Sequence, residues 1–451
     1  MERTISVLHN VNLIDMSAVN GERVKKNKIV VLENGRIQLV LDAHELKGLE
    51  QLGYASLDLG DNYLMPGLID LHVHSTNPFI NPMDAVKFSN LFSVLKQIRE
   101  NLHNCIRAGV TTVRDLGSPP AIVRFMNLIG RGRIVGPRIV PSFSMISCPG
   151  GYPDMVPPFN WLLRMIMGGQ FAERVIDSAH AERTVHSLAD RGAAWIKTVH
   201  QEKSYMFGQS RLDILADDIY ESIVCTARAR KKKTALHTLS VEGFRKGIAL
   251  QVDTIEHIPL EELSTEDVNM ISRGMITVIP TLIAPGLYLA DKLQTLKDII
   301  NSDDIRLVRK ARKHILEIIE QIMAGKQFST MIDYNYLRQS FSTMIRNVRR
   351  LHEAGARIGF GTDAGGTDIC LFGLPWMEMG LMAEAGMQNY EILETATRKN
   401  AEVLGLDHDL GSIEKGKFAD MILVKGNPLE DLHNVSRVMK VWKGGQLVYE
   451  K

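Results

Sequence analysis

The chain has 451 residues, and its 53 Lys and Arg against 52 Asp and Glu give a formal net charge of +1. Hydrophobic residues at 45% and charged residues at 23% are typical of globular proteins, which excludes collagen-like, coiled-coil and disordered chains. The charge balance argues against a nucleic-acid or anionic-membrane partner, because such binding needs an excess of basic residues. We therefore expect a large enzyme-like chain.

The cysteines and the N-terminal residues indicate a reducing compartment. The four cysteines lie far apart and form no C-x-x-C pair, so we expect free thiols. The first residues, Met1 to Ile5, include an acidic side chain and lack the apolar stretch of a signal peptide. No run approaches the roughly 20 apolar residues of a membrane span. These features predict a cytoplasmic protein.

Both ends of the chain are rich in short strands and turns. Near the N-terminus, Ile29 to Leu32 lead into the turn Glu33-Asn34-Gly35-Arg36 and a second run. Near the C-terminus, the same pattern of short strand-like runs and turns recurs at Ala419 to Val424 and Val438 to Trp442. We predict one small β-sandwich domain built from both termini, residues 1–65 and 409–451.

Residues 66–408 alternate strand-like apolar runs with amphipathic helical stretches, which predicts an α/β fold, a parallel (β/α)8 TIM barrel. Residues 287–355 have a helical pattern with many charged residues, so the seventh crossover is expected to carry extra helices. The eight predicted strands are Leu68–His74, Val110–Asp115, Arg138–Phe143, Trp195–Val199, Thr234–Thr238, Thr254–Ile258, Ile276–Thr281 and Ile358–Thr362.

Polar residues end several of these strands. His72 and His74 lie two apart on one strand, so they point the same way, and two close imidazoles are typical of a metal site. A lone pair of this kind is often structural, but further polar residues end later strands, where barrel enzymes place their active sites. These residues are Lys197, His237, His257 and Asp363.

Lys197 has two possible interpretations. A buried ammonium beside a divalent cation would repel it, so the lysine could pair with a carboxylate away from the metals. Alternatively, its neutral amine could take up carbon dioxide to form a carbamate, an anionic ligand able to bridge two metals.

In this order, the motifs resemble those of the amidohydrolase superfamily, in particular its imidazolonepropionase-like and prolidase-like (Xaa-Pro dipeptidase-related) branch. The resemblance rests on Met65 to His74, Ile255-Glu256-His257, Gly361 to Gly365 and Gly411 to Asp420, and it covers nearly the whole chain.

The resemblance implies that one or two divalent metals, usually Zn²⁺, occupy the site. His72, His74 and Asp363 would hold one metal, His237 and His257 the other, with carboxylated Lys197 bridging. A hydroxide between the metals would attack a polarised carbonyl carbon, and Asp363 would take its proton and pass it to the leaving nitrogen.

The sequence departs from the family in two places that concern the substrate. Tyr152 stands where many relatives carry a histidine, so it could donate a hydrogen bond to the substrate, or pack as a loop residue. Leu239 stands where prolidase-like relatives often carry a polar or aromatic residue, which weakens the case for gripping a peptide carboxylate.

Residues 155–169 are unusually apolar and include Trp161. Such a segment suits a lid over an apolar pocket, or an oligomer contact. We predict a small-molecule substrate with an apolar portion, contacted by Tyr152, Leu239 and Trp161, and a homo-oligomer.

Three functions compete. The first is hydrolysis of an amide-type C–N bond in a peptide, an N-acyl amino acid or an aryl amide, urea or carbamate. The second is cyclic-amide hydrolysis of the imidazolonepropionase type. The third is a non-catalytic scaffold, which would be expected to lose metal ligands, whereas all six are present. His200 is expected to face away from the side of Lys197, either as a support of the ligands or as a structural residue, and Glu256 is expected to point elsewhere as a structural partner.

Overall fold

The computed structural model describes residues 5–17, 22–52, 54–85, 87–153, 161–203, 211–326 and 334–451. Within these ranges no helix is long and apolar enough to cross a membrane. The β-strands are β1 (Ile5–Leu13), β2 (Lys25–Glu33), β3 (Arg36–Asp42), β4 (Ala55–Pro66), β5 (Leu68–Val73), β6 (Val110–Asp115), β7 (Arg138–Pro141), β8 (Met145–Ser147), β9 (Ala172–Arg174), β10 (Trp195–Val199), β11 (Lys233–His237), β12 (Thr254–Glu256), β13 (Thr277–Ile279), β14 (Arg357–Ile358), β15 (Met421–Val424), β16 (Val438–Lys443) and β17 (Gln446–Glu450).

The helices lie mainly between the strands of the barrel, and several form the predicted insertion before β14. They are α1 (Leu46–Gln51), α2 (Pro82–Ala85), α3 (Leu91–Arg107), α4 (Ile122–Gly130), α5 (Trp161–Met167), α6 (Ser178–Asp190), α7 (Asp217–Ala229), α8 (Val241–Leu250), α9 (Thr265–Arg273), α10 (Ile283–Gly286), α11 (Ala290–Asn301), α12 (Arg309–Met323), α13 (Tyr334–Glu353), α14 (Pro375–Glu384), α15 (Asn389–Glu394) and α16 (Asn400–Leu404).

The two ends of the chain share one seven-stranded sheet, in the order β17-β16-β15-β4-β1-β2-β3. The predicted turn is present, with positive φ at Asn34 and Gly35, and such a turn matches the twist of a hairpin. The halves of the sheet surround a common apolar core that includes Leu8, Val30 and Trp442. This arrangement agrees with the predicted terminal β-sandwich, whose limits at residues 65 and 409 stay a prediction.

The remaining strands form the predicted α/β barrel. Sheets β5-β6-β7 and β14-β13-β12-β11-β10-β8-β9 consist of parallel neighbours, and residues of β6 and β10 are buried throughout. Helices cover such a sheet, so its strands read as apolar runs. The third predicted strand, Arg138–Phe143, is shorter than expected. β7 ends at Pro141, Phe143 has a φ of 62°, and a separate strand, β8, begins beyond the predicted limit.

The barrel closes between β5 and the segment that follows β14. Leu71 N donates to Phe360 O at 3.0 Å, and Asp363 N donates to His72 O at 2.8 Å. The buried Asn400 amide donates to Ile69 O and Phe360 O at 2.7 and 2.8 Å. This closure places the first and last strands, with their polar ends, side by side.

Candidate metal centre

The first and last barrel strands bring three predicted ligands together. The ligand atoms of His72, His74 and Asp363, here named the closure group, all lie within 4.8 Å of one another, and all three residues are buried. Asp363 Oδ1 lies 3.4 Å from His72 Nε2 and 3.2 Å from His74 Nε2. A carboxylate and two imidazoles converging at this distance form a set of donors suited to a divalent cation.

The middle strands supply Lys197, His237 and His257, here named the mid-barrel group. The His237 and His257 rings lie 4.5 Å apart, and the His257 ring lies 4.9 Å from that of His72. Burial lowers the pKa of His72, His237 and His257, and the nearby Lys197 charge lowers the pKa of each further. The four histidines and Asp363 therefore surround one space at the mouth of the barrel, with the Lys197 charge acting on three of them.

Several ligand atoms in this space lack hydrogen-bond partners among the described residues. They are His72 Nε2, Lys197 Nζ, His237 Nε2 and Asp363 Oδ1. A buried polar atom without a partner costs about 1–3 kcal/mol, so a cluster of four is expected only where a ligand completes the site. The donor set fits one or two divalent metals.

Lys197 is 1% exposed, and burial lowers its pKa to about 7, against the charges of Glu256 and Asp363, which raise it. Near neutral pH, a large fraction of the molecules therefore carries the Lys197 amine in its neutral form. Burial also lowers the pKa of His257 to about 3 and that of His237 well below its usual value. These imidazoles are neutral at pH 7, the form that binds metal.

Glu256 was expected to face away from the site, and that expectation is wrong. Its Oε2 lies 2.8 Å from His72 Nδ1, inside the barrel. The physical reason is the backbone of His257, whose φ of 72° interrupts the alternation of the strand. Two consecutive side chains, Glu256 and His257, can therefore both reach the barrel interior. Asp363 also has a positive φ, of 55°, and such strain is common at functional sites.

Arg114 was not singled out from the sequence, although it supports Glu256. This fully buried guanidinium donates to Glu256 Oε1 at 2.7 Å, to Thr254 Oγ1 at 3.0 Å and to Leu71 O at 2.6 Å. It also lies 4.3 Å from the centre of the Trp195 ring. An arginine inside the predicted barrel strand Val110–Asp115 was the available signal, because a buried charge requires a partner.

Two aromatic side chains flank the ligands on one side of the site. The Tyr152 ring stacks on that of His237 at 4.4 Å with 13° between the planes. The Phe171 ring, which was not predicted, lies 5.9 Å from that of His74. Both rings pack with Met145, Ala172 and Val199, so they form one apolar wall.

The other predicted substrate contacts lie in different surroundings. Leu239 is partly buried, and its backbone N–H donates to Gln201 Oε1 at 3.3 Å. Trp161 begins α5 and is 77% exposed. Of the apolar segment 155–169, residues 155–160 lie outside the described part of the chain. His200 is buried with its ring 5.7 Å from that of Tyr220, and its role stays a prediction.

Comparison with known proteins identifies the family. The model of the amidohydrolase family matches residues 63–448. The chain belongs to the amidohydrolase family. The predicted superfamily is thereby confirmed.

Individual relatives are more distant. The chain is 32% identical to imidazolonepropionase of Shouchella clausii (strain KSM-K16) over 107 residues, 23% of this chain and 24% of that protein. The matched stretch thus spans about a quarter of that curated relative. A Xaa-Pro dipeptidase structure with bound methionine has a TM-score of 0.75 at 23% identity and covers 99% of this chain and 100% of its own. Ochratoxinase of A. niger has a TM-score of 0.76 at 19% identity, covering 100% and 97%. These two structures share the fold.

Proposed function

We propose that this protein hydrolyses an amide-type C–N bond in a small molecule that carries an apolar portion, using one or two divalent metals. The observation that supports this most strongly is the convergence of buried, unpartnered ligand atoms from His72, His237, Lys197 and Asp363 at the barrel mouth. A non-catalytic scaffold would not be expected to retain this costly arrangement.

In this proposal the closure group would hold one metal, and His237 and His257 would hold the other. Lys197 would supply an anionic ligand shared by both if its neutral amine took up carbon dioxide and released a proton to form a carbamate. Its burial and its pKa of about 7 support that form. Zinc is the expected metal, although oxygen and nitrogen ligands of this kind also suit other divalent ions. When bound, the metal polarises the substrate carbonyl and lowers the pKa of water.

The side chains of the chain perform the proton transfers. Asp363 accepts a proton from the attacking water at a carboxylate oxygen and then donates it to the leaving nitrogen. Glu256 accepts from Nδ1 of His72, which keeps Nε2 of that ring deprotonated and directed at the site. Arg114 fixes Glu256 in turn, so the proton that orients His72 stays in place.

The apolar wall supports the proposed substrate class. Tyr152 and Phe171 lie beside the ligand histidines, where the group next to the scissile bond would pack. Leu239 and Trp161 stay predicted substrate contacts. A hydrophobic dipeptide, an N-acyl amino acid or an aryl amide, urea or carbamate carries such a group. The ochratoxinase and dipeptidase folds are in keeping with this range.

A cyclic amide is the second candidate substrate. It is favoured by the local sequence match to imidazolonepropionase, although that match covers about a quarter of that protein. The cytoplasmic location and the homo-oligomer stay predictions.

A substrate panel tests the proposal. Purified protein is analysed for metal, stripped with a chelator, reloaded with Zn²⁺ and assayed on N-acyl amino acids, Xaa-Pro and Xaa-Arg dipeptides, aryl ureas, carbamates and a cyclic imidazolone. We expect one to two divalent ions per chain, and turnover of acyclic apolar substrates that disappears on stripping and returns on reloading. Full activity without metal would overturn the mechanism. Turnover confined to peptides with a free carboxylate would overturn the apolar substrate class.

A further inference from the structure

A buried carboxyl group on α14 binds the backbone next to a residue that contacts the mid-barrel group, and burial raises the pKa of this carboxyl group to about 8. Glu378 is fully buried, and its two oxygens accept from successive backbone N–H groups, Leu282 N at 3.0 Å and Ile283 N at 2.6 Å. The first N–H groups of a helix have no partner within that helix. Glu378, on α14, therefore caps the start of α10. This cap holds the backbone in place at the residue that precedes Leu282.

That preceding residue is Thr281, which contacts a predicted metal ligand. Thr281 has a φ of 49°, a strained value for a β-branched residue that needs support from its surroundings. Its Oγ1 lies 2.6 Å from Nδ1 of His257 and donates to Pro280 O at 2.8 Å. When the single hydroxyl proton is donated to Pro280 O, the hydroxyl oxygen accepts from Nδ1 of His257 across the short contact. Nε2 of that ring is then left deprotonated and free to bind metal.

We propose that Glu378 is a positioning residue for His257: it holds the Leu282–Ile283 backbone, which keeps the Thr281 hydroxyl where it selects the metal-binding form of the imidazole. This inference rests on the proposed metal centre. It predicts that metal affinity depends on a carboxylate that touches neither the metal ligands nor the substrate.

The test compares Glu378→Gln, Thr281→Val and Thr281→Ser with the wild type and with Asp267→Asn. Asp267 is the control: it is a buried carboxylate that accepts from Ser264 N at 3.0 Å at the start of α9 and also from Arg245, and no contact among the described residues links it to His257. Zn²⁺ affinity of the stripped protein is measured by competition with a chelator, and the absorption spectrum of the Co²⁺-loaded protein reports ligand geometry. Thermal melting shows that each variant is folded at the temperature used.

Glu378→Gln replaces one accepting oxygen with an NH2 group, which cannot accept from the backbone N–H that it faces. We expect this change to weaken the binding of one metal by about 10-fold, within the range for residues that orient ligands. Thr281→Val should do the same, while Thr281→Ser and Asp267→Asn should bind like the wild type. The Glu378→Gln/Thr281→Val double variant should bind no more weakly than the weaker single variant, because both changes interrupt one path.

Three results would overturn the inference. Glu378→Gln could lower the melting temperature as Asp267→Asn does and leave Zn²⁺ affinity and the Co²⁺ spectrum unchanged, which would make Glu378 a purely structural cap. The fold-losses of Zn²⁺ affinity in the two single variants could multiply in the double variant. That result would show that Glu378 does not act through Thr281. If Glu378→Gln does not fold, equal affinities of Thr281→Val and Thr281→Ser would refute the same path. A wild type that binds no metal would instead refute the proposed function.

Discussion

The two halves of the barrel mouth support their histidines differently. In the closure group, Nδ1 of His72 contacts the carboxylate of Glu256, which a buried arginine holds in place. In the mid-barrel group, Nδ1 of His257 contacts a neutral hydroxyl, and the carboxyl group of Glu378 binds the backbone that follows that hydroxyl residue. A carboxylate partner makes an imidazole a stronger ligand than a hydroxyl does. We therefore expect the closure group to bind its metal more tightly.

The largest effect is expected from Lys197→Ala, because Lys197 is the proposed bridge between the halves. Its loss should lower kcat/KM at least ~100-fold, since it removes a direct ligand of both metals. Metal analysis should find fewer divalent ions per chain than in the wild type. Addition of acetate or propionate should restore part of the activity. Lys297→Ala, at an ion pair with Glu320 on the helical insertion, is the control. Unchanged activity of Lys197→Ala would show that this lysine is not a ligand.

The second prediction compares the supports directly. Glu256→Gln should weaken metal binding by about 10- to 100-fold, and the loss from Thr281→Val should be smaller. Glu256→Gln should also lower the free energy of unfolding, by up to about 3–5 kcal/mol, because Arg114 then keeps a buried charge without its partner. Chelator competition and urea denaturation measure the two quantities. A larger loss of affinity in Thr281→Val than in Glu256→Gln would reverse the comparison.

The third prediction concerns pH. Only a neutral amine can react with carbon dioxide, and the Lys197 pKa is lowered to about 7. The neutral fraction therefore rises about 10-fold between pH 6 and pH 8. Metal uptake by stripped protein, at constant dissolved carbon dioxide, should rise across this range, while His72, His237 and His257 are already neutral at its lower end. Lys197→Glu, which carries a carboxylate without carbon dioxide, should show neither the rise nor a carbon dioxide requirement. A rise of equal size in Lys197→Glu would assign it to another group.

The smallest effect is expected from the aromatic wall. Phe171→Ala should raise KM for substrates with an aryl or large alkyl group by about 3- to 10-fold, the value of a partly buried apolar contact. Kinetic constants for a matched pair of substrates, one with the apolar group and one with a methyl group, measure this. Tyr152→Phe keeps the ring on His237 and should change kcat only if its hydroxyl contacts the substrate. An equal effect of Phe171→Ala on both substrates would remove the wall from substrate selection.

Much of this site could be predicted from the sequence, because the ends of parallel strands meet at one rim. That rule alone brings His72, His237 and Asp363 together from distant parts of the chain. The supports could not be found in this way. Glu256 enters the barrel only because His257 adopts a positive φ, a backbone choice that strand alternation does not reveal.

The pairing partners were also beyond the sequence. Arg114 and Glu256 are 142 residues apart, and Glu378 meets Leu282 across 96 residues. Neither pair lies within a motif, so only the packing of the elements brings its members into contact. Both ends of the chain show short apolar runs separated by turns, and this shared pattern predicted one domain. The pairing of β4 with β15 in that domain, however, depends on the completed barrel between them.

That pairing has a consequence for synthesis of the chain. Strand β4 pairs with β1 on one side and with β15 on the other. As the chain leaves the ribosome, the second edge of β4 has to wait until more than 350 further residues, from Pro66 to Met421, have been made. An open strand edge can pair with another molecule during that time. Newly made chains should therefore depend on chaperones until their last strands emerge.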